Sequence, residues 1–189
     1  MTEPRIAPVQ PPYTPEVAAL LAKWTPPDAG VQPLLLFRTL ARHPDVMSRM
    51  GPLGAGLLGH GTVTPRLREL VIQRTCARCG AEYEWGVHAT VFAAAAEFTP
   101  DQLAATAAPD PDHPSWSELD RAALRLADEL HDTGTLTDET FACLAGELTD
   151  AQILELVVIA GWYHVISFVI GAARLPDEPW AATFPRAGR

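Results

Sequence analysis

Apolar residues recur at spacings of three and four along two proline-free stretches, 66–99 and 115–175, the period of helices that bury one face. Thr64-Pro65 supplies an N-cap with proline at the first helical position, and Leu67, Leu70 and Val71 follow at helical spacing. Thr99-Pro100-Asp101-Gln102 is a capping box that opens a short helix. Ser115-Trp116-Ser117-Glu118 reads as a second, leading into Leu119, Ala122, Ala123, Leu126 and Leu130. Thr137 to about Leu148 is predicted as a further helix, bounded in front by Gly134. Thr149-Asp150-Ala151-Gln152 opens the last and most apolar helix, which runs to about Arg174 and is stopped by Leu175-Pro176. No segment sustains the alternation of a strand. The pattern predicts an all-α, single-domain bundle of about seven or eight helices around one core.

The other residues refine this picture. Eight of the 18 prolines fall before residue 34, which sets off residues 1–32 as a proline-rich arm with a short helix. Its first 14 residues are expected to be mobile or to clasp a partner. Residues 33–175 form the helical domain, and 176–189 an irregular tail in which Trp180 is expected to dock. The most apolar run, Ile153 to Ile170, is broken by Glu155 and His164 and reads as a buried helix rather than a membrane span. The N-terminus lacks the basic start and apolar run of a secretion signal, so a cytoplasmic location is expected. A formal net charge of -9 and the lack of a Lys/Arg stripe argue against nucleic acid as a partner. Three cysteines are too few and too unevenly spaced for a disulfide framework.

Gly54-Ala55-Gly56-Leu57-Leu58-Gly59 has the glycine spacing of a dinucleotide loop, but a helical segment precedes it where a strand is required. Close helix packing or a connector explains it better. Cys76-Ala77-Arg78-Cys79 is a dithiol at redox spacing beside Arg74 and Arg78. If the helix begun at Pro65 ends near Gly80, its dipole opposes a thiolate there. If a new helix begins directly after Gly80, the dipole favours one, and local sequence leaves the choice open. Two small residues in a helix contact are the plain alternative. Only His88 is close enough in sequence to serve as a further ligand, so neither metal nor cofactor is expected.

Tyr83-Glu84-Trp85 followed by His88 is the most informative stretch. Glu84 and His88 share a helix face, where a carboxylate raises imidazole basicity, although such a pair is also a common solvated surface. Glu69 lies seven residues, nearly two turns, before Cys76, so a tight helix turn would bring Glu69, Cys76, Glu84 and His88 towards one pocket. His164 reads as a satisfied core histidine. His43, His60, His113 and His131 read as surface residues, and Cys143 as a buried one.

From Arg66-Leu67-Arg68-Glu69-Leu70 through Tyr83-Glu84-Trp85-Gly86-Val87-His88 the chain resembles the carboxymuconolactone decarboxylase family, which includes alkylhydroperoxidase D-like proteins. Leu154-Glu155-Leu156-Val157 to Tyr163-His164 is similar to the longer members, so the resemblance spans roughly 33–175. It implies an alkylhydroperoxidase D-like helical fold and a homo-oligomer. The family's redox branch uses a glutamate, a Cys-x-x-Cys pair and a histidine. Anchored on Glu69 and His88, that pattern places its cysteines at Ala81 and Glu84, five residues after Cys76 and Cys79. The acid and the histidine carry over, and the dithiol is displaced.

The leading expectation is a peroxidase-like oxidoreductase with catalytic residues Glu69, Cys76, Cys79, Tyr83, Glu84 and His88. Cys79 would react, Cys76 would resolve, and a Glu/His relay would move protons, with His88 as general base. One alternative is a cofactor-free decarboxylase or lactone-type acid/base enzyme. The other is a non-catalytic helical oligomer binding a small ligand. A small-molecule substrate, peroxide or carboxylate/lactone, is expected, with no membrane partner.

Overall fold

The computed structural model describes residues 3–25, 32–108 and 113–185, and among these the chain is all-helical with nine helices. Three of them lie before residue 60, where Pro15 and Pro44 sit at helix starts and Pro52 lies inside a helix. They are α1 (Pro15–Ala22), capped by Thr14, α2 (Leu35–Leu40), and α3 (Pro44–Gly59). The chain packs as two compact units, residues 1–61 with 169–178 and residues 62–168 with 179–189, so the single domain expected over 33–175 is shared between them.

In the first unit, buried Arg38 donates from Nε to the Val9 carbonyl at 2.9 Å and from its other nitrogens to Gln32 and Gln10, while Arg42 donates to the Ala7 carbonyl. The segment expected to be mobile or to clasp a partner is thus tied to its own chain by guanidinium bonds to backbone oxygen. The glycines of the dinucleotide-like motif lie inside α3, with no loop to cradle a phosphate.

The second unit holds the candidate site. Thr64 caps α4 (Pro65–Arg78), Cys79 is its C-cap, and Gly80 turns the chain at φ +64 before α5 (Glu82–Val91). Then follow α6 (Pro100–Thr106), α7 (Glu118–Thr133), α8 (Asp138–Ala145) and α9 (Asp150–Ala173), the last of which ends in the first unit. The cap of α7 is Ser117 with Asp120, two residues later than predicted. Asp120 also takes two hydrogen bonds from Arg66 at 3.0 Å each, and that contact exists only in the fold.

Leu70, Val71 and Ile72 of α4, Leu124 and Leu126 of α7, and Leu156 and Ile159 of α9 are buried, and α4 packs against α7. Each fully buried aliphatic side chain contributes roughly 1.5–3 kcal/mol by leaving water. α9 is long and apolar enough to cross a membrane, with mean hydropathy 2.0, yet its Ile153, Leu156, Ile159, Tyr163 and Ile166 are buried as the sequence predicted for a core helix. Trp180 does not dock: it is 49% exposed, and the tail is held instead by Phe184, whose ring lies 5.4 Å from Trp85. Cys143 is half-buried rather than buried.

Candidate active site

Four side chains from three helices form a buried polar cluster. Glu69 lies on α4, Glu84 and His88 on α5, and Tyr163 on α9, each at most 6% exposed. The turn at Gly80 lays α5 back on α4, so Glu69 Oε2 meets His88 Nδ1 at 2.7 Å. The other oxygen, Oε1, accepts from Arg68 Nε at 3.0 Å. His88 Nε2 stands 3.0 Å from the Tyr163 hydroxyl and 3.6 Å from Glu84 Oε1.

Burial pulls the His88 pKa down, but the charge and hydrogen bond of Glu69, followed by those of Glu84, outweigh it and push the pKa up to about 9. At neutral pH His88 is therefore an imidazolium that donates from both nitrogens. It enters any reaction as a fixed cation or proton donor, and the general-base role expected from sequence does not fit. Burial pushes the Tyr163 hydroxyl well up, as do Glu84 and Glu69, so it stays protonated.

The two thiols border this cluster. Cys76 is fully buried, and its pKa is pushed well up by burial and then by Glu84. Cys79 is half-buried and its pKa is raised by burial, with Ser167 and Arg78 pulling the other way. Ser167 of α9 sits beside both sulfurs and lowers both pKa values, while its hydroxyl makes no hydrogen bond of ordinary geometry. Neither cysteine hydrogen-bonds His88. Cys79 faces another pair instead: its Sγ lies 3.9 Å from His131 Nδ1, which lies 3.0 Å from His164 Nε2.

Several buried polar atoms here have no partner. Glu84 Oε2, Thr75 Oγ1 and both amide atoms of Gln73 are among them, and Gln73 lies one turn after Glu69 on α4. Unmet buried polar groups cost about 1–3 kcal/mol each.

Glutamate, turn and histidine on α4 and α5 match a known pattern. Residues 44–129 match the model of the carboxymuconolactone decarboxylase family. No curated protein matches the sequence. The fold is alkylhydroperoxidase D-like. An uncharacterized peroxidase-related protein from Silicibacter sp. TM1040 superposes with TM-score 0.77 at 14% identity, over 95% of this chain and 96% of that one. An alkylhydroperoxidase AhpD core, an uncharacterized peroxidase-related protein from Ralstonia eutropha JMP134, gives TM-score 0.68 at 18% identity, over 76% of each chain. The debrominase Bmp8 in complex with 2,3,4-tribromopyrrole gives TM-score 0.74 at 17% identity, over 93% of this chain and 92% of that one.

The five-residue displacement of the dithiol from the family's positions has a physical consequence. The family positions, Ala81 and Glu84, are the N-cap and first turn of α5, where a helix dipole favours a thiolate. Cys76 and Cys79 occupy the last turn and C-cap of α4, where the dipole opposes one. Since α4 ends at Arg78 and α5 opens at Glu82 directly after Gly80, both conditions weighed from the sequence hold, and the two helix dipoles act on Cys79 in opposite senses.

The structure brings Glu69, Glu84 and His88 together and sets Cys76 at their edge. Tyr83 is buried in the core, and the phenol on His88 is Tyr163, read from sequence only as a neighbour of His164. His131 and His164, read as surface and core residues, are both half-buried and face each other.

Proposed function

We propose that this protein is a thiol-dependent, peroxidase-type oxidoreductase in which Cys79 attacks the substrate and Cys76 resolves the product. What supports this reading is the placement of both thiols beside one buried hydroxyl, Ser167, with a separate proton acceptor near each. His131 lies by Cys79. Burial, then Arg78 and His164, lower its pKa, so it is neutral and can take a proton. Glu84, with its unpartnered Oε2, lies by Cys76.

The chemistry balances without a cofactor. Cys79 yields its proton to His131 and attacks the distal oxygen of a hydroperoxide; an S–O bond forms, the O–O bond breaks, and the alcohol leaves after taking a proton. Cys76 yields its proton to Glu84 and attacks the resulting sulfenic sulfur. The S–S bond forms, hydroxide leaves and is protonated to water, and an external dithiol restores both thiols. The imidazolium of His88 offsets the charge of Glu84 and Glu69 as the proton moves. Such thiols stay reduced between turnovers in the cytoplasm, where we place the protein.

The test is peroxide turnover with thiol titration. Cys79→Ala abolishes turnover on this reading, and full retention of activity overturns it. A cofactor-free decarboxylase-type enzyme is the second reading, favoured by the buried imidazolium between two carboxylates. It requires His88→Ala to abolish activity while both cysteine variants stay active.

The protein acts as a homo-oligomer through the outer face of α9. Leu154, Val158, Gly161, Val165 and Phe168 are exposed at alternating spacings of four and three, the seam of paired helices. Phe168 is 64% exposed and Leu154 63%, so a partner copy would cover large apolar groups. Phe168→Glu shifts sedimentation to monomer if this face is the interface.

A further inference from the structure

We propose that Cys79, His131 and His164 form a binding site for a divalent late first-row cation, with Zn2+ the best chemical fit. One ligand atom from each residue lies within 4.8 Å of the other two. They come from three elements, the C-cap of α4, the last turn of α7 and the middle of α9, so the fold and not a local motif assembles them.

The spacings suit a tetrahedral ion. With bonds of about 2.0–2.1 Å to nitrogen and about 2.3 Å to sulfur, the N···N edge is about 3.3 Å and the S···N edge about 3.6 Å. The corresponding separations are 3.0 Å between the imidazole nitrogens and 3.9 Å from Cys79 Sγ to His131 Nδ1. The third edge, from Cys79 Sγ to His164, is within 4.8 Å, so side-chain shifts of up to about 1 Å, in residues that are only half-buried, complete the geometry.

The tautomers point the same way. His164 Nδ1–H donates to the Ala160 carbonyl at 2.8 Å, which leaves Nε2 with its lone pair aimed at His131. A backbone carbonyl holding the distal N–H is the usual support of a metal-bound histidine. Two ring nitrogens 3.0 Å apart repel unless a proton or a cation lies between them. The proton that His131 Nδ1 takes from Cys79 serves there in the metal-free protein, and a metal ion replaces it. One thiolate and two imidazoles form a donor set that selects zinc and its neighbours over magnesium or calcium. Arg78, the nearest cation, is held by Asp128 and Asp132, so its charge is largely compensated.

Three protein ligands leave a fourth position open to water or a small anion. Metal binding does not require the peroxide chemistry, but the two share the Cys79 sulfur and the His131 imidazole. A bound ion would mask the thiol, and oxidation to the Cys76–Cys79 disulfide would release it.

The experiment uses the reduced, metal-free full chain titrated with Co2+, which reports thiolate ligation by its near-ultraviolet charge-transfer band, and then with Zn2+ in competition. One ion per chain is expected, with the band lost in Cys79→Ser. His131→Ala and His164→Ala should each weaken binding at least tenfold. His131→Gln and His164→Gln stand in if the alanine variants misfold. The proposal is overturned by no stoichiometric binding, by a band that survives Cys79→Ser, or by histidine variants that bind like the parent. Loss of the band in Cys76→Ser would place the ion on the dithiol and also overturn it. Peroxide turnover of the metal-free protein is read separately, so failure of one claim leaves the other standing.

Discussion

Glu69 and His88, nineteen residues apart in the chain, share a 2.7 Å hydrogen bond in the core, and both side chains are almost fully shielded from water. Burial alone would discharge the imidazole, and the two carboxylates reverse that outcome. NMR of His88 should show an imidazolium at pH 7 that titrates at about 9. Because the folded pKa lies above the unfolded 6.5, the linked stability, on the order of 3 kcal/mol, is fully present below pH 6.5 and is lost as pH rises through 9. Glu69→Gln should move the midpoint down, and a parent midpoint at or below 6.5 contradicts the relay.

Tyr163 gives His88 Nε2–H its closest acceptor, at 3.0 Å. Tyr163→Phe keeps the ring and removes that oxygen. The expected cost is about 1–3 kcal/mol in urea unfolding, because a buried charged donor loses a partner. An unchanged midpoint would show that Glu84, at 3.6 Å, already suffices.

How much of this was legible in the chain differs from residue to residue. Thr64-Pro65 and Gly80 bound α4, and spacing placed Glu69, Glu84 and His88 on facing turns, because caps and helical period are local properties. The Ser115 cap was misplaced because Ser115 and Ser117 each have an acid three residues on, and only the contact of Asp120 with Arg66 separates them. Tyr163 and His164 lay in a run whose apolarity hid them. His131 lies 52 residues from Cys79, so no local spacing marks it or His164 as a ligand. Pairing across the core is written into helix packing, and no spacing rule reads it.

Gly86 admits no side chain. A Cβ there would lie 1.9 Å from the Ala182 carbonyl oxygen, which the tail holds against α5 through the Ala182 N–H bond to Thr90 at 3.0 Å. Gly86→Ala should expel the tail and free Phe184 from Trp85. Thermal unfolding should show a loss of about 1–3 kcal/mol, and proteolysis should clip the C-terminus faster. Parent-like stability and cleavage would contradict this.

Arg74 is buried on α4 and pairs with Asp128 at 2.6 Å. Arg74→Ala leaves a partly buried carboxylate without that partner and empties the space of the guanidinium. Chemical denaturation should report a loss of about 3–5 kcal/mol, and a loss below 1 kcal/mol would class the pair with solvent-screened surface bridges.

The most direct measurement is peptide mapping of the reduced, metal-free protein after one equivalent of hydroperoxide. The proposed chemistry predicts a Cys76–Cys79 disulfide, the peptide lighter by two hydrogens, with Cys143 still a thiol. A fully reduced dithiol, or oxidation confined to Cys143, would contradict it.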